Sequence, residues 1–466
     1  MDPRDARIAS LEAELTQTRK ELAEAVALIK VMHAEVKFLK AKLNQDSSNS
    51  NQPPSTDKPT EKPTTAAPKP VVKRKPGAQR GHAFIPRKLL PIAPGDQVVP
   101  FFPTCSCGCK ALKNLEQVDA FQRFDLPERP LLVTEFIRFR ADCTRCDTQI
   151  EAQFPEELAD MHAFGPRITG FVGVCSGKLS LSKRGTQWLL NEVFGLPICV
   201  GSICNLEAVV STALLPVYTD IEKAAQVSPG AHCDETSWFY KGGLWWLWVM
   251  STPKAVLFKV QSRRDTEAAK LLLQDFCGLL TTDRYGAYAH YPLELRQLCW
   301  AHLIRDFLNW ELKGSKEASR LVFMTEVLFK SYHSMKDGTQ RWKHFQVLAR
   351  NVQRVMTDIL GLVVKEELRE VSGKATALLK EWEAAWRFVD KKGIEPTNNE
   401  AEQVIRRGVL WRKNSYGTKS ETGNRYVERI LSFIETMKRR GLAVFDELVK
   451  VVKAKEQGLP YRLATS

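Results

Sequence analysis

The chain has 466 residues, 44% of them hydrophobic, and a formal net charge of +14. That length allows two or three domains with a sizeable core, and the charge favours a polyanionic partner over a neutral or acidic one. No uninterrupted apolar run approaches the ~20 residues of a spanning helix, and Met1 to Arg7 lack the apolar stretch of a secretory signal, so the expectation is a cytoplasmic protein with no membrane partner and with reduced cysteines.

Residues 5–44 read as one long helix. Ile8, Leu11, Leu15, Thr18, Leu22, Ala25, Ile29, Met32, Val36, Leu39 and Leu43 alternate spacings of three and four, an a/d seam that is apolar at every position except Thr18. Five heptads without Gly or Pro favour a self-associating coiled coil over residues 1–45; the plain alternative is an amphipathic helix packed on the rest of the protein. Residues 46–99 change character. The stretch from Asn44 to Pro70 is Ser, Asn, Pro, Thr and Lys with hardly any apolar side chain, which predicts a flexible linker. It runs into KRKPGAQRGH, whose Lys73, Arg74, Lys75 and Arg80 suit contact with phosphates.

Residues 100–152 carry Cys105, Cys107 and Cys109, then the CxxC pair Cys143 and Cys146. Two thiolates from the first cluster and two from the second suit a tetrahedral structural Zn2+, and the irregular CSCGC spacing leaves open which two of the first three bind. The other six cysteines stand singly in apolar settings and are expected in the core. Residues 153–229 read as helical, with apolar periodicity around Ile168–Val174, Thr186–Val193 and Ile203–Val217 and with Lys183 and Arg184 between two of these segments; a DNA-binding helical unit and a plain helical connector read alike here.

From His232 the period changes to that of strands. HCDETSWFY, LWWLWVMST and KAVLFKVQS are three strands, the first two joined at Gly242 and Gly243; DTEAAKLLLQDF is helical; GLLTTDRYGAY is a fourth strand, and RQLCWAHL a fifth running into a helix. Three antiparallel strands, a helix, then a strand, a helix and a strand is the order of the ribonuclease H-like fold. Asp234 falls in the first strand and Asp283 at the end of the fourth. Adjacent strands would bring the two carboxylates together, where they repel. A hard divalent cation, Mg2+ or Mn2+, removes that penalty, and two such ions about 4 Å apart suit phosphoryl transfer.

Residues 303–390, rich in helical pattern and charge, read as a helical insertion with Trp310, Trp342, Trp382 and Trp386 as packing anchors. After it comes EPTNNEAEQVIRRGVLWRKNSYG. Thr397 and Glu400 have capping-box spacing, which gives Glu400 a structural task. Glu402 lies about 200° round the helix from Glu400 and is the carboxylate available to metals; its plain alternative is an ion pair with Arg406. Arg406, Arg407, Arg412, Lys413 and Lys419 follow, where phosphates would sit.

These motifs together resemble bacterial transposases of the insertion sequence sixty-six family, of the DDE type. The resemblance rests on the zipper-like helix, SSNSNQPPSTDK, KPGAQRGH before a cysteine knuckle, HCDET, TTDRYGAY, QLCWAHLIRDF and PTNNEAEQVIRRGVLWRKNSYG. It implies a ribonuclease H-like domain over 230–445, interrupted by the helical insertion and followed by a tail over 446–466. Asp234, Asp283 and Glu402 would be catalytic and hold two metal ions, and His302 and Arg305 would support the site or contact phosphate. The resemblance also implies cleavage and transfer of DNA at the terminal inverted repeats of a mobile element, a target DNA as second substrate, small companion proteins and a nucleoid-associated place in a bacterial cytoplasm. Two other readings are a non-catalytic DNA-binding regulator derived from a transposase, and a ribonuclease H-like nuclease that cuts without joining.

Overall fold

The computed structural model describes residues 163–461 without a break, and before them residues 15, 17–20, 89–93, 97–102, 122, 124, 130–142, 144–146 and 149–154. Leu15 and residues 17–20 are helical and exposed; the rest of the expected coiled coil, the basic stretch with Lys73, Arg74, Lys75 and Arg80, and Cys105, Cys107, Cys109 and Cys143 lie outside the described residues. Two short antiparallel strands, β1 (Arg140–Asp142) and β2 (Gln149–Glu151), pair Arg140 with Glu151, and the turn between them carries exposed Cys146.

Three helices then follow, at the three apolar-periodic segments: α1 (Pro166–Gly177), α2 (Lys183–Glu192) and α3 (Val200–Gln226). Lys183 and Arg184 open α2 and do not lie in a turn between helices; the Ser182 hydroxyl caps α2 by accepting from Gly185 N–H at 3.0 Å. Among the described residues α3 is the one helix long and apolar enough by length and composition to cross a membrane, a match that scanning for uninterrupted apolar runs misses because polar residues break it up. Its Val210, Leu214, Val217 and Ile221 are fully buried against the sheet core described next.

That sheet has five strands: β3 (Gly230–Tyr240), β4 (Gly243–Ser251), β5 (Val256–Gln261), β6 (Leu279–Thr282) and β7 (Arg296–Leu298), in the order β5-β4-β3-β6-β7. The first three pair antiparallel and the last two run parallel to β3. Helix α4 (Thr266–Leu273) makes the crossover from β5 to β6, capped by Asp265, whose carboxylate accepts from Ala268 N–H at 3.1 Å. The link from β6 to β7 is not a helix: two single 3-10 turns, Gly286–Tyr288 and Leu293–Leu295, make the connection, since Pro292 interrupts it.

After β7 the chain leaves the sheet as α5 (Trp300–Leu312), α6 (Ala318–Lys336), α7 (Trp342–Val364), α8 (Arg369–Lys380), a 3-10 turn Trp382–Trp386 and the short α9 (Arg387–Asp390). These enclose a second core of their own, dense in rings. Trp300 packs edge-on to Trp386 at 5.0 Å, and its indole N–H donates to Ala385 C=O at 2.6 Å.

The chain returns to the sheet as α10 (Asn399–Ser415), then α11 (Glu421–Arg439) and α12 (Val444–Glu456). Helix α10 lies close over β3 and β4, and Gly408 permits that approach: a Cβ there would run into the Leu247 side chain. Helix α11 covers the edge strand β5. Glu428, Ser432 and Thr436 accept from the backbone N–H groups of Val260, Phe258 and Val256 at 2.8, 2.8 and 3.0 Å. Four helical residues rise about 6 Å and two strand residues about 6.6 Å, so polar side chains every fourth position match the outward N–H groups of every second strand residue. The unpaired edge is thereby closed. Residues 446–456 do not form a tail: they continue α12, whose Leu448, Val451 and Val452 are buried in the sheet core, with α12 lying on α1 and α3. Of the six single cysteines, Cys175, Cys233 and Cys299 are buried, but Cys199, Cys204 and Cys277 are exposed: Cys199 caps α3, Cys204 lies on its solvent face and Cys277 sits in the loop after α4.

Candidate active site

Strand register brings the first two acids together. In the parallel β3–β6 ladder Gly230, Ala231 and His232 stand opposite Leu279, Leu280 and Thr281. Continuing that register by two residues sets Asp234 across from Asp283, on strands about 4.8 Å apart and facing the same side. Asp283 lies one residue past the end of β6, where its carboxylate accepts from Tyr285 N–H at 2.9 Å. Asp234 accepts from Glu235 N–H at 2.9 Å.

The third acid arrives from α10. Burial first, then the charges of Glu235, Asp283 and Glu402, push the Asp234 carboxyl well above the ordinary carboxylate range. Three elements remote in sequence thus deliver carboxylates to one place. Glu235, on the opposite side of β3, is also pushed up by burial and by Asp283, but it has its own partners: the Arg264 guanidinium at 2.9 Å and the Tyr288 hydroxyl, which donates at 2.8 Å. Arg264 is in turn held between the rings of Trp246 and Tyr285.

Glu400 and Glu402 separate as the helix geometry requires, though not through a capping box. The N-cap of α10 is Asn398, not Thr397, and makes no side-chain cap bond. Glu400 is exposed and pairs with Arg439 of α11 instead, a partner 39 residues away that local spacing does not reveal. Glu402 points inward. Its Oε1 is buried without a hydrogen-bond partner, 3.8 Å from His302 Nδ1, which is likewise buried and unpartnered. Among the described residues no ion pair joins Glu402 to Arg406.

Asn398 is a residue that the sequence reading passed over. Its side-chain N–H donates to Cys233 C=O, beside Asp234, at 2.8 Å, and its backbone N–H donates to Cys299 Sγ at 3.1 Å. One buried residue at the start of α10 therefore reaches the strand of Asp234 through its side chain and the start of α5 through its backbone N–H. The signal available was a pair of asparagines directly ahead of an amphipathic helix.

The cations divide into two sets. Arg407 pairs with Glu435 at 2.9 Å and donates to Lys178 C=O, and Arg412 donates to the backbone and hydroxyl of Ser237, so both are committed to internal partners. Arg406, Lys413 and Lys419 are exposed, and Arg305 is half-buried beside His302.

In this mixed α/β chain, acids from two adjacent parallel strands and a returning helix lie close enough for their charges to act on one another, and together they could hold a divalent cation. Comparison with known families places the chain further. Residues 165–426 match the transposase IS66 family, and residues 2–87 match a family of unknown function, DUF6444. The chain belongs to the transposase IS66 family. It is similar to two proteins of Sinorhizobium fredii. One, titled "Uncharacterized protein y4qI", is 28% identical over 243 residues, covering 46% of this chain and 44% of its own length. The other, titled "Uncharacterized protein y4hP", is 21% identical over 373 residues, covering 72% of this chain and 67% of its own length. The chain thus spans less than half the length of the first relative and about two thirds of the second.

Proposed function

We propose that this protein is a DNA transposase in which Asp234, Asp283 and Glu402 hold two Mg2+ or Mn2+ ions within a ribonuclease H-like domain. The observation that carries the reading is the convergence of acids on Asp234, whose carboxyl is pushed up first by burial and then by the charges of Glu235, Asp283 and Glu402. A half-buried acid with three acidic neighbours is costly unless a cation occupies the group, and an all-oxygen donor set suits a hard ion. Bound there, the ions would supply the charge that activates an attacking oxygen and stabilises a leaving one in phosphoryl transfer. The protein's own contribution is positional. The β3–β6 register, continued past His232 and Thr281, supports Asp234 lying opposite Asp283. Asn398 holds the first turn of α10 to β3, which keeps Glu402 aimed inward. Arg264 and Tyr288 hold Glu235 away as a supporting charge. The strand order, with three antiparallel and two parallel strands, is the one this fold requires.

In this reading the DNA substrates are the ends of the element and a target. Arg305, Arg406 and Lys413 would contact phosphate, with Lys73, Arg74, Lys75 and Arg80 supplementing them. Self-association through residues 1–45, a Zn2+ held by Cys143, Cys146 and two of Cys105, Cys107 and Cys109, companion proteins and a cytoplasmic location complete the proposal.

The test uses purified full-length protein, Mg2+ and labelled DNA carrying the element's ends. Asp234→Asn, Asp283→Asn and Glu402→Gln should each abolish cleavage and leave DNA binding within about twofold of wild type, since removing one hard ligand disrupts the metal centre without changing the surface. Wild-type protein that binds the ends but neither cuts nor joins them would favour the regulator. Protein that cuts without joining would favour the nuclease.

A further inference from the structure

Cys299, His302 and Glu402 place one ligand atom each within 4.8 Å of one another. Cys299 is the N-cap of α5 and fully buried, and His302 lies three residues on, in the first turn, so both face the same side of the helix start. Glu402 reaches them from α10. His302 Nδ1 and Glu402 Oε1 face each other at 3.8 Å, too far for a hydrogen bond, and both are buried without a partner. Buried polar atoms are seldom left so. Two ligands of a tetrahedral zinc, at about 2.1 Å each, stand roughly 3.4 Å apart. The gap between these two atoms is therefore close to what one ion between them would occupy. The sulfur is supported as a metal-bound thiolate commonly is, by a backbone N–H from Asn398 at 3.1 Å.

We propose that Cys299, His302 and Glu402 form a second metal site that takes a thiophilic divalent ion of the zinc class, with one coordination position left for water or a phosphate oxygen. A sulfur, nitrogen and single-carboxylate donor set selects zinc over magnesium, whereas the all-oxygen set of Asp234, Asp283 and Glu402 selects the reverse. Glu402 belongs to both groups. Its Oε1 faces Cys299 and His302, and an ion there fixes the carboxylate so that its other oxygen remains for the acid pair. The zinc site stands on these three residues alone and does not require that the protein cut DNA.

The experiment is metal analysis of the full-length protein without DNA. Wild type, Asp234→Asn, Cys299→Ser and His302→Gln are loaded with Zn2+, dialysed and measured by mass spectrometry, then reloaded with Co2+ for its thiolate charge-transfer band. Any zinc held through Cys143 and Cys146 is common to all four and cancels in the difference. Wild type and Asp234→Asn should hold one more zinc per chain than Cys299→Ser or His302→Gln, and Cys299→Ser should lose part of the cobalt band. Zn2+ should raise the melting temperature of wild type and Asp234→Asn but not of His302→Gln, whose amide keeps the side chain's bulk should Cys299→Ser fold poorly. Equal zinc in wild type and His302→Gln, or loss of this zinc in Asp234→Asn, would overturn the proposal. Because the readout needs no DNA, its failure leaves the cleavage reading standing, and failure of cleavage leaves this site standing.

Discussion

Around the sheet, charged and polar side chains reach into the interior: Asp234 and Glu235 on β3, Asn398 ahead of α10, and Glu428, Ser432 and Thr436 along α11. In the layer from Trp300 to Asp390 the interior is ring against ring, with Trp300, Tyr332, Phe345, Trp382, Trp386 and Phe388 in mutual contact. The sheet region accepts this polarity because such groups satisfy backbone groups, face the acid cluster or, like Glu235, pair with Arg264 and Tyr288. The helical layer has no such task and is built for apolar burial. The two regions meet along β7, where Gln297 donates to Ala385 C=O and accepts from Phe388 N–H, and at the helix start that Trp300 anchors and that also presents Cys299 and His302. A rigid aromatic core thereby supports the wall of a polar site.

Substitutions should separate the two regions. Trp386→Ala in the helical core removes a fully buried ring and should cost about 3–5 kcal/mol, read by denaturant unfolding; a loss below 1 kcal/mol would break the contrast. Next, Ser432→Ala leaves the Phe258 N–H buried and unpaired and should cost about 1–3 kcal/mol, with cleavage per folded molecule unchanged. Asn398→Ala should cost a similar amount, about 1–3 kcal/mol, yet reduce cleavage far more than Ser432→Ala does, because only Asn398 sits between the elements that carry the acids. Equal activities for these two variants would remove Asn398 from the account. Smallest of all, Glu400→Gln breaks a partly exposed pair with Arg439 and should change stability by less than about 1 kcal/mol, with cleavage intact.

Most of the five strands were legible as alternating or continuous apolar runs between turn residues, and Asp234 and Asp283 could be placed on or beside them. Their mutual register was not legible: the matched offset between β3 and β6 depends on a crossover helix whose docking is tertiary. Glu402 was selected over Glu400 on a helical-angle argument that holds, joined to a capping argument that does not. What occupies Glu400 is Arg439, and no local pattern announces a partner on another helix. The polar positions of α11 were visible as residues four apart in an apolar helix, but their meaning required knowing that β5 is an edge. Residues 446–456 read as a tail because short terminal segments carry little periodicity, while the surfaces that bury Leu448, Val451 and Val452 lie on α1 and α3, more than 200 residues earlier in the chain.

The central claim is that three acids from three elements form one metal centre. Its most direct measurement is the effect of Mg2+ on thermal unfolding of wild type, Asp234→Asn, Asp283→Asn and Glu402→Gln in the absence of DNA. The account predicts that Mg2+ raises the melting temperature of wild type and that each single substitution removes most of that rise, since binding to the native state alone stabilises it. Asp234→Asn should also melt higher than metal-free wild type, because it removes a charge that burial first, and then its acidic neighbours, disfavour. A Mg2+ response unchanged by all three substitutions would contradict the account.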